Sequence, residues 1–358
     1  MRSDLKNMRL KLVEYLSCPN CSTDLSLEVL VKEGEEILTG LLFCEKGHTF
    51  PITGGIPRML PSSLAEYSHK ILDSIPPERE PELEELIKKV KACSPDEDYD
   101  IGTRKNFSNE WDNHDIGGRT WAMELEDRVK WFFLDSIRIP EPELDGKMML
   151  DAGCGNGSQS VAYTKFGLEV IALDLSSGLE KGYEFRDRYE SGAPSRVHFV
   201  QADLQNPPLK KGLFDIIHSA GVLHHTPNTE RTFRALTPLL KESGTFYVWL
   251  YKYEAVVTPI VNSLRAITTR IPQGLFAQIA QIGSVPFIGF CWLVDKLGIR
   301  KYEIPDRREA VIAVHDIFGA PYAHYHSFDE VVDWFHSEGM LEVWPCNDDR
   351  RGFGVCGR

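Results

Sequence analysis

The sequence predicts an α/β fold built on a doubly wound, mostly parallel sheet. Three observations carry that expectation. Residues 148–151 form a short apolar run ending in Asp151, which opens into a loop with Gly153, Gly155 and Gly157 at every second position. Glycine serves where φ turns positive or a ligand presses on the backbone, and strand, Gly-rich loop and helix make the nucleotide-binding turn of such sheets. Three further apolar runs, 168–174, 197–203 and 214–225, follow at helix-length gaps and end on polar groups. A fifth run, 244–250, and a closing pair at 341–344 and 353–356 complete the sheet.

The loop reads Asp-x-Gly-x-Gly-x-Gly, not the Gly-x-Gly-x-x-Gly of dinucleotide sites, so no pyrophosphate is implied at the helix start. Taken alone it is equally well a plain tight turn. Asp174, about 20 residues further on, stands where a carboxylate accepts both ribose hydroxyls. Asp203 closes the third strand in the same way.

These strings resemble the class I S-adenosylmethionine-dependent methyltransferases, nearest those of ubiquinone and menaquinone biosynthesis. The resemblance rests on Leu150-Asp151-Ala152-Gly153-Cys154-Gly155-Asn156-Gly157, Phe214-Asp215-Ile216-Ile217 with Gly221-Val222-Leu223-His224-His225-Thr226, and Leu240-Lys241-Glu242-Ser243-Gly244-Thr245. It covers residues 147–251 closely and 329–358 loosely. Ser243 stands where the family more often has a second Gly, a difference confined to a turn. The resemblance implies a Rossmann-like seven-stranded sheet with S-adenosylmethionine held by Asp151, Gly153, Cys154, Gly155, Gly157, Asp174, Leu175, Asp203, Leu204 and Ala220. Within that set the Gly loop faces the methionine moiety, Asp174 the ribose, and Asp203 the adenine.

The bulk numbers bound the function. A chain of 358 residues has room for two domains, and 42% hydrophobic with 26% charged residues is an ordinary globular composition. A net charge of −13 disfavours nucleic acid, whose non-specific affinity comes from Lys and Arg. Residues 1–16 are charged throughout, with no secretory h-region, and the apolar run 285–294 is interrupted by Pro286 and Gly289 and too short to span a bilayer. No transmembrane segment and a cytoplasmic location are therefore expected, and eight Cys point to metal ligands and free thiols rather than disulfides.

Residues 1–60 form the first unit. Cys18 and Cys21, then Cys44 and His48, are two close pairs joined by alternating apolar residues. Two tight turns offering two ligands each suit one tetrahedral zinc, which would supply folding energy to a unit with little core. Four ligands leave no open position, so the zinc would be structural. The alternative is a metal-free unit in which Cys44 and His48 are incidental. The segment 48–57 resembles the small zinc-ribbon proteins that partner tRNA, rRNA and translation-factor methyltransferases, and fused ribbons also precede methyltransferases of metabolite pathways. No ribbon residue belongs to the Gly loop, so cofactor affinity is expected to be independent of the ribbon.

Residues 61–100 are rich in Pro and Glu and read as a linker with one exposed helix over 82–92. The methyltransferase domain is placed at 101–358. Phe107, Glu110 and Trp111 resemble a segment that helps cover the cofactor in zinc-ribbon methyltransferases; the alternative is that Phe107 and Trp111 are ordinary core aromatics. A helix is expected over 121–136. Residues 252–327, where one helix would suffice, are apolar at helical spacing and broken by Pro259, Pro272 and Pro286. Placed at the carboxyl edge of the sheet, they are expected to form a helical cap, with Val256, Phe287, Phe290 and Trp292 lining an acceptor site. An oligomer interface or a membrane-surface contact are the competing readings.

Methyl transfer from a sulfonium is an in-line displacement, and a base is needed only when the acceptor's own proton must leave. His224 and His225 follow the fourth strand and are the catalytic candidates, His225 facing the pocket by alternation; a core role is the alternative for each. Tyr251, His315, Tyr322, His324 and His326 are candidate substrate contacts. The sequence thus points to a methyltransferase acting on a small, partly apolar acceptor. The alternatives are an RNA methyltransferase using the ribbon as a clamp, although the ribbon carries few cations (Lys11, Lys32, Lys46, Arg58), and a non-catalytic cofactor-binding scaffold.

Overall fold

A computed structural model describes residues 8–93, 101–112, 117–120, 123–189, 196–298, 304–349 and 351–358. After helix α1 (Met8–Tyr15), strands β1 (Leu25–Glu33), β2 (Glu36–Cys44), β3 (Thr49–Thr53) and β4 (Ile56–Pro57) form an antiparallel sheet in sequence order. Helices α2 (Ser63–Leu72) and α3 (Glu80–Cys93) follow. The expected exposed linker is here a packed layer: Leu64, Ile71, Ile75, Leu83 and Ile87 bury themselves against Leu41 of β2. The reason is visible at helical spacing, since Leu83 and Ile87 lie four residues apart on one face. The stretch 94–100, read as an acidic loop, lies outside the described residues.

Helix α4 (Ile101–Asp112) precedes α5 (Leu125–Val129) and α6 (Asp135–Ile137), which are joined by a π turn over Lys130–Leu134. The helix expected from 121 therefore begins later, with 121–122 outside the described residues, and changes pitch midway. Strands β5 (Met148–Ala152), β6 (Glu169–Asp174), β7 (Val197–Gln201), β8 (Phe214–Ala220) and β9 (Leu240–Tyr251) are parallel. The antiparallel pair β10 (Val343–Asp348) and β11 (Gly352–Gly357) completes a seven-stranded sheet of order β10-β11-β9-β8-β5-β6-β7. The sheet centre is apolar on both faces, as a sheet covered twice requires, and β5 is buried throughout. Helices α7 (Ser158–Tyr163), α8 (Leu179–Tyr189) and α9 (Thr229–Leu236) cross between the strands.

The fourth strand ends at Ala220, sooner than expected, and a 3-10 turn carries Leu223–His225. Beyond β9 come α10 (Val257–Thr268), α11 (Gln273–Lys296), α12 (Arg307–Val314), a π turn over His315–Gly319, and α13 (Phe328–Ser337). Helix α11 corrects the reading of the apolar run 285–294. It passes through Pro286 without ending, and by length and composition it suffices to cross a membrane, with a mean hydropathy of 1.5 over its most apolar window. Pro removes one backbone donor and bends a helix, but flanking residues can continue it.

Candidate active site

The carboxyl ends of β5, β6, β7 and β8 converge on a cavity of about 110 Å³. Gly153, Cys154 and Asn156 line it from the loop after β5, Asp174 and Leu175 from β6, Asp203 and Leu204 from β7, and Ala220 from β8. Gly155 and Gly157 shape this wall rather than face the cavity. A Cβ on Gly155, whose φ is +58°, would lie 2.6 Å from the Trp111 ring, so nothing larger fits beneath α4. Gly157 caps α7 at φ +73°. Asp174 fastens the loop: Oδ2 accepts from the Gly155 N–H at 2.8 Å and Oδ1 from the Ser176 N–H at 2.8 Å. Burial raises the Asp174 carboxyl above its ordinary range, against those donors. Asp151 stands behind the cavity, accepting from Ser160 Oγ at 2.6 Å with His218 Nδ1 at 3.5 Å.

Helix α4 roofs the cavity with Thr103, Phe107, Glu110 and Trp111. Glu110 is buried, and desolvation, followed by the neighbouring carboxylates Asp316 and Asp174, pushes its carboxyl well above the usual range. Arg128, from α5, also lines the cavity. It is 2% exposed, burial lowers it to about 10, Nη2 donates to the Gly118 carbonyl at 3.2 Å, and Nε has no hydrogen-bond partner among the described residues. Arg128 was not singled out by sequence reasoning, because an isolated Arg outside a motif carries no spacing signal; Asn156 stood in the Gly-loop motif but not among the expected cofactor residues.

The two histidines separate cleanly. His224 is wholly buried, stacked on Tyr251 with ring centroids 3.9 Å apart, and burial holds it well below its usual range. His225 lines the cavity. Its Nδ1 lies 2.8 Å from the Tyr322 carbonyl, which only accepts, so that nitrogen carries a proton. Nε2 lies 3.0 Å from Asp316 Oδ1, an ion-pair distance without full hydrogen-bond alignment, and this contact is attractive only when the pair holds a second proton. The Tyr251 hydroxyl donates to Asp316 Oδ2. Burial would raise the Asp316 carboxyl, but His225 and Tyr251 outweigh it and hold the group below its ordinary range. Asp316 also lines the cavity; it lies in the segment 315–326, read from the sequence as a substrate-contact segment, but was not itself a candidate, and the π turn that aims it has no sequence signature.

The candidate contact residues scatter. Tyr251 reaches the cavity wall through Asp316, and Tyr322 does so through its carbonyl. His315 faces a second chamber of about 380 Å³ between α4, α11 and α12, which it lines with Glu110, Gln281, Arg307, Arg308 and Ile312 among others. Glu110 is thus the wall common to both spaces. His324 stacks near Tyr322, outside the cavity lining. His326 is a structural residue here: Nε2 lies 3.0 Å from Thr229 Oγ1 and Nδ1 3.1 Å from Glu330 Oε1, so both nitrogens are taken. The expected lining by the insertion is also corrected. Val256, Phe290 and Trp292 are 74%, 57% and 50% exposed and point to solvent, while Phe287 packs beside Phe276, because α11 turns a different stripe inward.

In the N-terminal unit, one ligand atom each from Cys18, Cys21, Cys44 and His48 lies within 4.8 Å of the others. Cys21 and Cys44 sulfurs are 3.8 Å apart, and His48 Nδ1 lies 3.3–3.7 Å from the three sulfurs. A tetrahedral ion with sulfur at ~2.3 Å and nitrogen at ~2.0 Å spaces its ligands by roughly 3.5–3.8 Å, so the donor set fits zinc. This unit is not separate from the sheet. Arg58, just past β4, bridges in parallel to Gln201 of β7. Its guanidinium is 1% exposed and donates to Thr53 Oγ1 (3.1 Å), Gln201 Oε1 (3.3 Å) and Glu180 Oε1 (2.8 Å) over the Tyr67 ring. Gln201 Nε2 in turn donates to the carbonyls of Leu175 and Ser176, the residues following Asp174.

This geometry can be set beside known proteins. Residues 150–248 match the methyltransferase-domain family model. Over those residues the chain is similar to methyltransferase domains. The matched stretch runs from the last three residues of β5 through β6 to β8 and most of β9, and hence holds all the strand ends lining the cavity. A ubiquinone biosynthesis O-methyltransferase of Xanthomonas campestris is 31% identical over 133 residues, 37% of this chain and 54% of that protein. A tRNA U34 carboxymethyltransferase of Ruthia magnifica is 28% identical over 175 residues, 48% of this chain and 50% of that one. An uncharacterised protein of Synechococcus sp. is 34% identical over 112 residues, 31% of this chain and 27% of its own length. The chain spans about half the length, or less, of these curated relatives.

Proposed function

We propose that the protein is an S-adenosylmethionine-dependent methyltransferase acting on a small, partly apolar acceptor. The observation that carries this reading is the convergence of the Gly153–Asn156 loop, Asp174, Asp203 and Ala220 on one cavity inside the methyltransferase domain. Asp174 retains lone pairs for the two ribose hydroxyls, and Leu204 offers an apolar face beside Asp203 for a base. Arg128, buried with an unpartnered Nε, suits the carboxylate of the methionine moiety. Bound S-adenosylmethionine supplies an electrophilic methyl group.

The protein's own residues then position the acceptor and take its proton. Both nitrogens of His225 face acceptor oxygens, so the base is Asp316, with His225 and Tyr251 orienting its carboxylate and steadying its charge. As the acceptor's O–H or N–H gives up its proton to Asp316, the freed pair would displace the methyl group in line from the sulfonium sulfur, the carbon–sulfur bond breaking as the new bond forms and the neutral thioether leaving. The rest of the acceptor occupies the chamber beyond Glu110, where Arg307 and Arg308 stand among the lining residues.

Cys18, Cys21, Cys44 and His48 hold one structural zinc in the same reading. The ribbon makes a poor nucleic-acid clamp, since Arg58 is buried and Lys11 pairs with Glu169. The test is methyl transfer from labelled cofactor to a metabolite extract and, in parallel, to total RNA. Label in small molecules, lost with Asp316→Asn, supports the proposal. Label in RNA that disappears when the ribbon is removed overturns it.

A further inference from the structure

The α10–α11 hairpin presents an apolar surface that the fold leaves uncovered. On α11 the inward stripe is Phe276, Ala280, Ser284 and Cys291, at helical spacing, and it packs toward α12 and the π turn; the Phe276 ring meets His315 edge-on at 5.4 Å. The other faces carry Ile282 (74% exposed), Val285, Trp292 and Leu293. On α10, Val257, Ile260, Leu264 and Ile267 form a second exposed stripe. From Ile271 to Val294 the sequence has no charged residue. Only 17% of the most apolar window of α11 is buried, so it is not the core helix of a water-soluble body. Water-exposed helices without charges are rare because nothing offsets the apolar hydration cost.

Charge distribution selects the partner. The stretch 256–308 holds seven Lys or Arg against three Asp or Glu, in a chain whose net charge is −13; of these Arg265 is buried, and Arg307 and Arg308 line the chamber. Arg270 precedes α11 and Lys296 ends it, so the cations bracket the apolar surface. An apolar face rimmed by cations matches the headgroup–acyl boundary of an anionic bilayer. In a symmetric dimer of this chain the same face would meet itself, cations against cations, so a second copy lacks that complementarity. The buried stripe also fixes the geometry: α11 forms a wall of the Glu110–His315 chamber through Gln281, and crossing the membrane would tear that wall away.

We propose that the α10–α11 hairpin lies in the interface of an anionic lipid bilayer, parallel to its plane, and holds the protein there by its outward apolar face. The proposal goes beyond methyl transfer and does not depend on it. The experiment is co-sedimentation of the full chain with phosphatidylcholine vesicles and with phosphatidylcholine–phosphatidylglycerol vesicles, at low and high salt. Binding at least tenfold tighter to the anionic vesicles, weakened by salt and lost in Ile282→Glu/Trp292→Glu, is the expected result. Circular dichroism checks that the variant folds, and the milder Ile260→Ser, expected to weaken binding severalfold, serves if it does not. Absence of binding to either vesicle overturns the proposal, as does binding indifferent to these substitutions. A dimer in solution that the same substitutions dissolve, without vesicle binding, would assign the face to a second copy instead. Retention on vesicles through alkaline carbonate would mean a spanning helix and overturn the interfacial geometry.

Discussion

Replacing Arg58 by Met asks whether the ribbon and the cofactor cavity are one mechanical unit. The substitution keeps the apolar stem over Tyr67 and removes the guanidinium that joins Thr53, Gln201 and Glu180. Stripping one member of a buried ion pair costs ~3–5 kcal/mol when the other is stranded. Here Gln201 and Glu180 are not stranded: Gln201 Oε1 keeps the Tyr67 hydroxyl at 2.9 Å, and Glu180, its side chain 44% exposed, keeps Lys70 at 2.9 Å; the buried Thr53 hydroxyl loses the Nε donor. The cost should therefore fall to about 1.5–3 kcal/mol, the range of a charge-assisted hydrogen bond. Urea denaturation should show a lower midpoint at unchanged slope. Gln201 also positions the carbonyls after Asp174, so calorimetry should show S-adenosylmethionine binding weakened severalfold. A stability loss under 0.5 kcal/mol, or an unchanged dissociation constant, would refute the coupling and restore the expectation that the ribbon acts independently.

Glu110→Gln should flatten the alkaline limb of the stability profile. The folded carboxyl is raised well above its ordinary 4.5, so its stabilising contribution is complete below that pH and lost as pH rises through the folded value; Gln cannot ionise and keeps it. Asp316→Asn should lower kcat by a factor on the order of 10²–10⁴ with a smaller change in KM, while cofactor affinity measured by calorimetry stays near wild type. Elemental analysis should find about one zinc per chain, and Cys21→Ser should lose it and loosen the ribbon, read by circular dichroism. Full zinc content in that variant would place the ligands elsewhere.

The strand framework was legible because buried parallel strands are written as continuous apolar runs, and their ends because Asp151, Asp174 and Asp203 break those runs. The Cys and His pairs were legible because two close pairs are rare by chance. What was not legible depended on which face of a helix turns inward. The insertion is apolar on nearly every side, so composition did not reveal that Phe276 and Cys291 pack while Phe290 and Trp292 do not. Asp316 reaches the cavity only because a π turn shifts the register of one helix end, and Arg128 only because α5 lies beside the Gly loop. His225 was noticed as a candidate base, yet its partners, a backbone carbonyl and a carboxylate distant in sequence, set its role and could not be read from neighbours.

The central claim is that Asp174 and the Gly loop hold S-adenosylmethionine. Calorimetric titration of the wild-type chain and of Asp174→Ala tests it most directly. Removing a carboxylate that accepts from ribose hydroxyls should cost ~1.5–3 kcal/mol, a dissociation constant raised by about ten- to a hundredfold. The wild-type affinity should also fall as pH drops toward the raised Asp174 value, because only the ionised carboxylate accepts both hydroxyls. Equal affinities in the two proteins, or no binding by the wild type, would contradict the account.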